Sequence, residues 1–292
     1  MRWPYCILGP GVSGLQTQID LLVHNLRMTD EEMKFKIALA QIELELGNPD
    51  GNLQVAREAV AEAARAGADI VLLPELWACG YDLINARKYA SPLNDGWFAK
   101  MQELAQEHKI ALGGSMIEEL GETFYNTFIL VDKLGKQLGY YRKTHLFDLI
   151  EEKEYFTAGK ELALLETPWG KIGLALCYDL RFPEMFRAYA TKGAETILLV
   201  AEWPHSRIAH WNILVQARAV ENQCFIAAVN KVGTSKGKRL GGNSAVIDPM
   251  GKVLTQGGIA PGVFLADVDP DETAKVRKWM PVLNDRNLDL YD

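Results

Sequence analysis

The sequence predicts an α/β fold of stacked sheets and helices, and three observations point to it. Short apolar runs alternate along the chain with amphipathic helical patterns. Several runs, such as Ile172–Leu176, are continuously apolar, which suits strands buried on both faces. Hairpin signals add antiparallel pairs to this βα alternation. With 292 residues, 48% of them hydrophobic, the chain can build one large α/β domain or two small ones.

Phe35–Ile42 (FKIALAQI) reads as the first strand. Asn52–Ala66 reads as a helix with Leu53, Ala56, Ala59, Val60 and Ala63 on one face, stopped by Gly67. A short buried strand at Ile70–Leu73 is closed by Pro74-Glu75, and a helix over Trp97–His108 leads to a strand at Ile110–Gly113. Thr123–Asp132 and Gln137–Tyr141 are strands joined by the turn Lys133-Leu134-Gly135-Lys136. Arg142–Lys160 has no clear period and reads as a surface or active-site loop.

The second half repeats this order. Strand Lys171–Leu176 precedes helix Pro183–Lys192, and strand Thr196–Val200 precedes helix His210–Glu221. Strands follow at Cys224–Asn230, at Ser244–Ile247, at Lys252–Leu254 after the turn Asp248-Pro249-Met250-Gly251, and at Val263–Val268. A terminal helix over Asp269–Trp279 leads into a polar tail, Pro281–Asp292. No linker separates the halves, so two βα-rich halves pack into one layered domain over residues 33–292, with the tail from about 270.

Residues 1–32 differ in character. Gly9-Pro10-Gly11-Val12-Ser13-Gly14 matches G-x-G-x-x-G, but a dinucleotide fingerprint needs a strand before it and a second acid-tipped strand after it, and neither is present. No apolar h-region marks a targeting peptide. The stretch reads as an N-terminal extension, either disordered or an over-extended start with translation beginning at Met28 or Met33.

Composition removes several function classes. A formal charge of −7 argues against a nucleic-acid or anionic-membrane surface, which needs a basic excess. No run approaches the roughly 18 apolar residues of a membrane span. Cys6, Cys79, Cys177 and Cys224 form no C-x-x-C, which suits reduced thiols in the cytoplasm. The five histidines form no metal-ligand cluster, so neither metal nor other cofactor is expected.

Three strand ends carry reactive side chains. Glu75 follows the strand Ile70–Leu73, Lys143 follows Gln137–Tyr141, and Cys177 follows Lys171–Leu176 on the turn before a helix that starts at Pro183. Taken singly, each has an ordinary reading: a solvated acid, an exposed loop charge, a small core hydrophobe. Together they are chemically complete. A thiol of ordinary pKa, about 8.5, is only a few per cent thiolate near neutrality and needs a base or a nearby cation. Glu75 can accept its proton, and Lys143 can stabilise the thiolate and then the oxyanion formed when sulfur attacks a carbonyl-like carbon. His145 offers a second option, a Cys–His dyad, because it shares a face with Lys143 in an extended segment.

These residues resemble the carbon–nitrogen hydrolase (nitrilase) superfamily. The matching motifs are Leu73-Pro74-Glu75, Arg142-Lys143-Thr144-His145-Leu146-Phe147 and Leu176-Cys177-Tyr178-Asp179-Leu180-Arg181-Phe182-Pro183-Glu184, within a likeness spanning about residues 35–270. The resemblance implies a four-layer α-β-β-α sandwich that pairs as a homodimer or higher homo-oligomer, the C-terminal segment reaching across the interface. It also implies Glu75 as general base, Lys143 as oxyanion stabiliser, Cys177 as nucleophile and the Tyr178 backbone N–H as second oxyanion donor. A further glutamate after the lysine motif best matches Glu152, with Glu151 as the alternative, and His145 falls outside the catalytic set. Cys177 through Glu184, with Ala201-Glu202-Trp203-Pro204, look most like the omega-amidase branch, whose substrates are dicarboxylate monoamides such as 2-oxoglutaramate and 2-oxosuccinamate. Arg181 can pair with a substrate carboxylate or with Asp179 or Glu184, and Trp203 can wall the pocket. The same triad serves aliphatic amidases, nitrilases and N-carbamoyl amidohydrolases. An inactive relative or an acyltransferase is the alternative of a different class.

Overall fold

The structure, a computed structural model, describes residues 34–290. The glycine motif Gly9–Gly14 and the alternative starts at Met28 and Met33 lie outside the described residues.

The first half supplies strands β1 (Phe35–Gln41), β2 (Ile70–Leu72), β3 (Ala111–Leu120), β4 (Thr123–Val131) and β5 (Gln137–Arg142), with helices α1 (Pro49–Arg65) and α2 (Gly96–His108). The second half supplies β6 (Leu164–Thr167), β7 (Gly170–Leu176), β8 (Thr196–Ala201) and β9 (Phe225–Asn230), with helices α3 (Pro183–Thr191) and α4 (Ile208–Asn222). The chain ends with β10 (Thr234–Ser235), β11 (Lys238–Arg239), β12 (Ala245–Ile247), β13 (Val253–Gln256), β14 (Gly262–Val268) and α5 (Asp271–Trp279). Two six-stranded sheets result, ordered β14-β1-β2-β3-β4-β5 and β13-β12-β9-β8-β7-β6. Each has a parallel centre, β1-β2-β3 in one and β7-β8-β9 in the other, with antiparallel strands outside. The result is the α-β-β-α sandwich.

The alternation of β1 shows how the layers are built. Ile37 and Leu39 join a core shared with Leu174 and Leu176 of the second sheet, whereas Ala38 and Ala40 pack with Val60 and Ala63 of α1 and Phe98 and Met101 of α2. Side chains on a strand alternate faces, so burial of both faces produces the unbroken apolar run. Truncating one such core leucine to alanine costs about 2–5 kcal/mol.

The differences from the sequence reading have local causes. Helix α1 starts at Pro49 rather than Asn52, because the Asn48 side chain accepts the Gly51 N–H and Pro49 fits the first turn. Strand β3 runs to Leu120, not Gly113. Its outer part includes Glu118, a charged residue that is buried because Arg142 pairs with it. Strand β6 was not predicted, and it adds antiparallel to β7 at the sheet edge. The Arg142–Lys160 loop contains a helical turn, Glu152–Tyr155. Among the described residues no helix is long and apolar enough to cross a membrane.

Candidate active site

Parallel strands present their carboxyl ends together, and the βα architecture places ligands there. Glu75 stands just beyond β2, Lys143 just beyond β5, Cys177 just beyond β7 and Glu202 just beyond β8. Lys143, Cys177 and Glu202 line one pocket. Leu76, next to Glu75, has φ 48°, and its N–H donates to Ser115 Oγ at 2.9 Å, which fixes the turn carrying the carboxylate. Lys143 is held on both sides by backbone: its N–H donates to Asn126 O at 2.9 Å and its carbonyl accepts the Gly159 N–H at 2.8 Å.

The Lys143 ammonium lies between two carboxylates, 2.9 Å from Glu75 Oε1 and 2.7 Å from Glu152 Oε1, with all three side chains fully buried. Glu75 Oε1 also accepts from Asn126 Nδ2 at 2.9 Å, and Oε2 accepts the Glu202 N–H at 3.0 Å. Glu152 accepts the Phe147 N–H at 2.6 Å and the Tyr81 hydroxyl at 2.8 Å. Buried charges are tolerable only when paired and hydrogen-bonded in this way. Burial disfavours the Lys143 charge, but Glu152 and Glu75 outweigh it and hold the ammonium pKa above the ordinary lysine value. Burial pushes the Glu152 carboxyl above the usual range, with Lys143 pulling the other way. The alternative Glu151 is exposed, at φ 64° on the turn before Glu152, so the buried partner is Glu152.

Cys177 opens a five-residue 3-10 turn, Cys177–Arg181, at φ 42°, an uncommon backbone region for a non-glycine residue. The turn is anchored by the buried Asp179, whose Oδ2 accepts the Leu176 N–H at 2.9 Å and the Tyr141 hydroxyl at 2.8 Å. Burial, then the negative Glu75, push the Cys177 thiol well above its ordinary pKa, and Lys143 only partly offsets this. Its charged neighbours are thus the Glu75 carboxylate and the Lys143 ammonium.

His145 is not at the reacting centre. Its Nδ1 is 2.7 Å from Asp179 Oδ1, its ring stacks on Phe182 at 3.7 Å between centroids, and it does not line the pocket. His145 instead packs the turn behind Cys177, in keeping with its place outside the set expected from the resemblance. Tyr178 adds its ring to the same layer, 4.6 Å from Phe147 and 5.2 Å from Phe182.

Arg181 and Trp203 line the pocket together, the guanidinium 4.7 Å from the indole centroid. Among the described residues Arg181 forms no ion pair. Asp179 is taken by other donors, and the polar contact of Arg181 is with His210 Nδ1 at 3.3 Å. Burial and then the positive Arg207 lower the Arg181 pKa from its ordinary value. Arg207, Lys236 and Lys238 line the same pocket, and Glu202, the one acid among its described lining residues, is paired with Lys231. Trp203 is fixed by its indole N–H to Arg207 O at 2.9 Å and its backbone N–H to Asn230 Oδ1 at 2.6 Å.

Tyr81 and Arg207 were not singled out from the sequence, and Glu202 only within the motif Ala201-Glu202-Trp203-Pro204. Glu202 had the same signal as Cys177, a reactive side chain at a strand's carboxyl end; Tyr81 lies in irregular chain and had none. Among the described residues no group of three or more His, Cys, Asp or Glu side chains is arranged to hold a metal ion.

The family model for carbon–nitrogen hydrolase matches residues 36–278, and the chain belongs to this family of C–N hydrolase enzymes. Among its relatives, the 2-oxoglutaramate amidase of Bacillus subtilis is 40% identical over 262 residues, covering 89% of this chain and 100% of that one. An omega-amidase of Mus musculus is 34% identical over 267 residues, covering 88% of this chain and 96% of the relative. A solved mutant of the Nesterenkonia sp. AN1 amidase, with the acetamide moiety of fluoroacetamide added covalently at its active-site cysteine, superposes with TM-score 0.77 at 29% identity, covering 88% of this chain and 95% of that one.

Proposed function

We propose that the chain hydrolyses a small linear dicarboxylate monoamide, of the 2-oxoglutaramate or 2-oxosuccinamate type, to a dicarboxylate and ammonia. The observation that carries the reaction type is the Lys143 ammonium, held between the buried Glu75 and Glu152 carboxylates on the pocket that Cys177 lines. The covalent adduct at the cysteine of the Nesterenkonia amidase supports the same choice of nucleophile.

In this reading Glu75 takes the Cys177 proton as sulfur bonds to the amide carbon, and the carbonyl π pair moves onto oxygen. Lys143 and the Tyr178 N–H stabilise that oxyanion, because donors fixed in a buried site need no reorganisation as charge develops. Glu75 passes its proton to nitrogen, the C–N bond breaks and ammonia leaves a thioester. Water then gives its proton to Glu75 and attacks the thioester carbon. The C–S bond breaks, and the proton returns to sulfur. Glu152 keeps Lys143 charged and in place throughout.

The substrate class is supported by the Arg181–Arg207 mouth and by the names of the relatives. Arg181, with no ion-pair partner among the described residues, shares the pocket with Arg207, Lys236 and Lys238, a cationic lining that suits the carboxylate end of a monoamide. A homodimer paired through the helical faces accords with exposed Ile213 on α4 and Trp279 on α5, and sedimentation as a monomer would contradict it. The functional test is ammonia release, side by side, from 2-oxoglutaramate, asparagine, an aliphatic amide, a nitrile and an N-carbamoyl amino acid. The first should be the fastest. Preference for the nitrile or the carbamoyl compound, or no release from any, would overturn the reading.

A further inference from the structure

The pocket contains a second buried ion pair that the mechanism above does not use. Glu202 follows β8 with its side chain only 4% exposed, and its Oε2 lies 3.2 Å from Nζ of the fully buried Lys231. That bond is the single side-chain partner of Lys231 among the described residues, so the lysine has no evident task except to hold Glu202. Replacing a buried ion pair by apolar packing is often neutral or stabilising, so stability alone does not account for this one. Backbone packs closely over this pair: a Cβ on Gly80, at φ 61°, would meet Lys231 Nζ at 3.4 Å and Glu202 Oε2 at 3.7 Å.

The other carboxylate oxygen, Glu202 Oε1, has no hydrogen-bond donor among the described residues, and Glu202 lines the same pocket as Cys177 and Lys143. A primary amide brings two N–H donors that need acceptors once water is excluded. Glu75 has little capacity left, since Oε1 already accepts from Lys143 and Asn126, and Oε2 from the Glu202 N–H. That last bond also ties the backbone of Glu202 directly to the base.

We propose that Glu202, held by Lys231, is a substrate-binding residue whose Oε1 accepts an N–H of the scissile amide and turns its nitrogen toward Glu75. The inference rests on the amidase reading. It makes Glu202 the element that selects an amide over an ester, because an ester has no N–H to offer and leaves that acceptor unmatched.

The test compares 2-oxoglutaramate with the 5-methyl ester of 2-oxoglutarate, following ammonia and methanol release. The double variant Glu202→Met/Lys231→Met removes the acceptor without leaving a lone buried charge, and the backbone N–H to Glu75 stays. Loss of a hydrogen bond to a charged group predicts a fall in kcat/KM of about 10–100-fold on the amide. On the ester the change should stay within about threefold, since that reaction never used Oε1. If the double variant does not fold, Glu202→Leu/Lys231→Leu supplies the same amide-to-ester comparison. An equal fall on both substrates, or none on the amide, would overturn the role of Glu202. Failure of the unmodified enzyme to hydrolyse either compound would overturn the amidase reading, and this inference with it.

Discussion

Asp179 Oδ2 accepts the Leu176 N–H at 2.9 Å, so the carboxylate two residues beyond Cys177 clamps the backbone just before it. The same side chain accepts the Tyr141 hydroxyl and pairs with His145, and it holds Cys177 at its positive φ. Asp179→Ala leaves these buried donors without an acceptor and should destabilise the fold by about 3–5 kcal/mol. Chemical denaturation measures this directly. An unchanged unfolding midpoint would contradict the anchoring role.

Removal of the central cation should make stability depend on pH in a particular direction. Lys143→Met leaves Glu75 and Glu152 as two buried carboxylates with no counter-ion, a loss of about 3–5 kcal/mol near neutrality. Burial already raises the Glu152 pKa, and without Lys143 its opposing pull is gone. A carboxyl whose folded pKa lies above its unfolded value binds its proton more tightly when folded, so the variant should regain stability as pH falls. Thermal melts of both proteins at pH 8 and pH 5 should show the gap narrowing at the lower pH. A constant or widening gap would contradict this.

The resting thiol should resist modification. Burial and Glu75 push the Cys177 pKa well above the ordinary thiol value. Its reaction with methyl methanethiosulfonate should therefore keep rising with pH past the usual thiol range of about 8.5 instead of levelling off below it. A plateau near pH 7 would indicate a preformed thiolate and a different division of labour between Glu75 and Lys143.

Arg181 should govern substrate choice rather than chemistry. Arg181→Leu should raise KM for 2-oxoglutaramate about tenfold or more and leave turnover of a neutral aliphatic amide within about twofold, the pattern of a lost binding contact. An equal loss on both substrates would place Arg181 in the packing of the turn.

Much of this was legible because the fold buries both faces of its central strands. Unbroken runs such as Leu174–Leu176 marked the strands, and the reactive residue after each run marked the site. Glu152 emerged from the likeness in spacing, although the loop around it is irregular. The outer half of β3 was hidden because Glu118 is buried through a partner 24 residues away, Arg142, which a local pattern cannot register. Tyr81 and Lys231 were hidden for the same reason: their burial depends on partners distant in sequence. Arg181 forms no pair with Asp179, its nearest acid in the chain, because that carboxylate is committed to the backbone of the Cys177 turn.

The central claim is that Cys177 carries the acyl group. The direct measurement is acid quenching during steady-state turnover of 2-oxoglutaramate, followed by mass analysis of the peptide containing Cys177. The account predicts an acyl adduct on that cysteine, and a Cys177→Ala variant that keeps the native circular dichroism spectrum while releasing no ammonia. Ammonia release from Cys177→Ala at the unmodified enzyme's rate would contradict it.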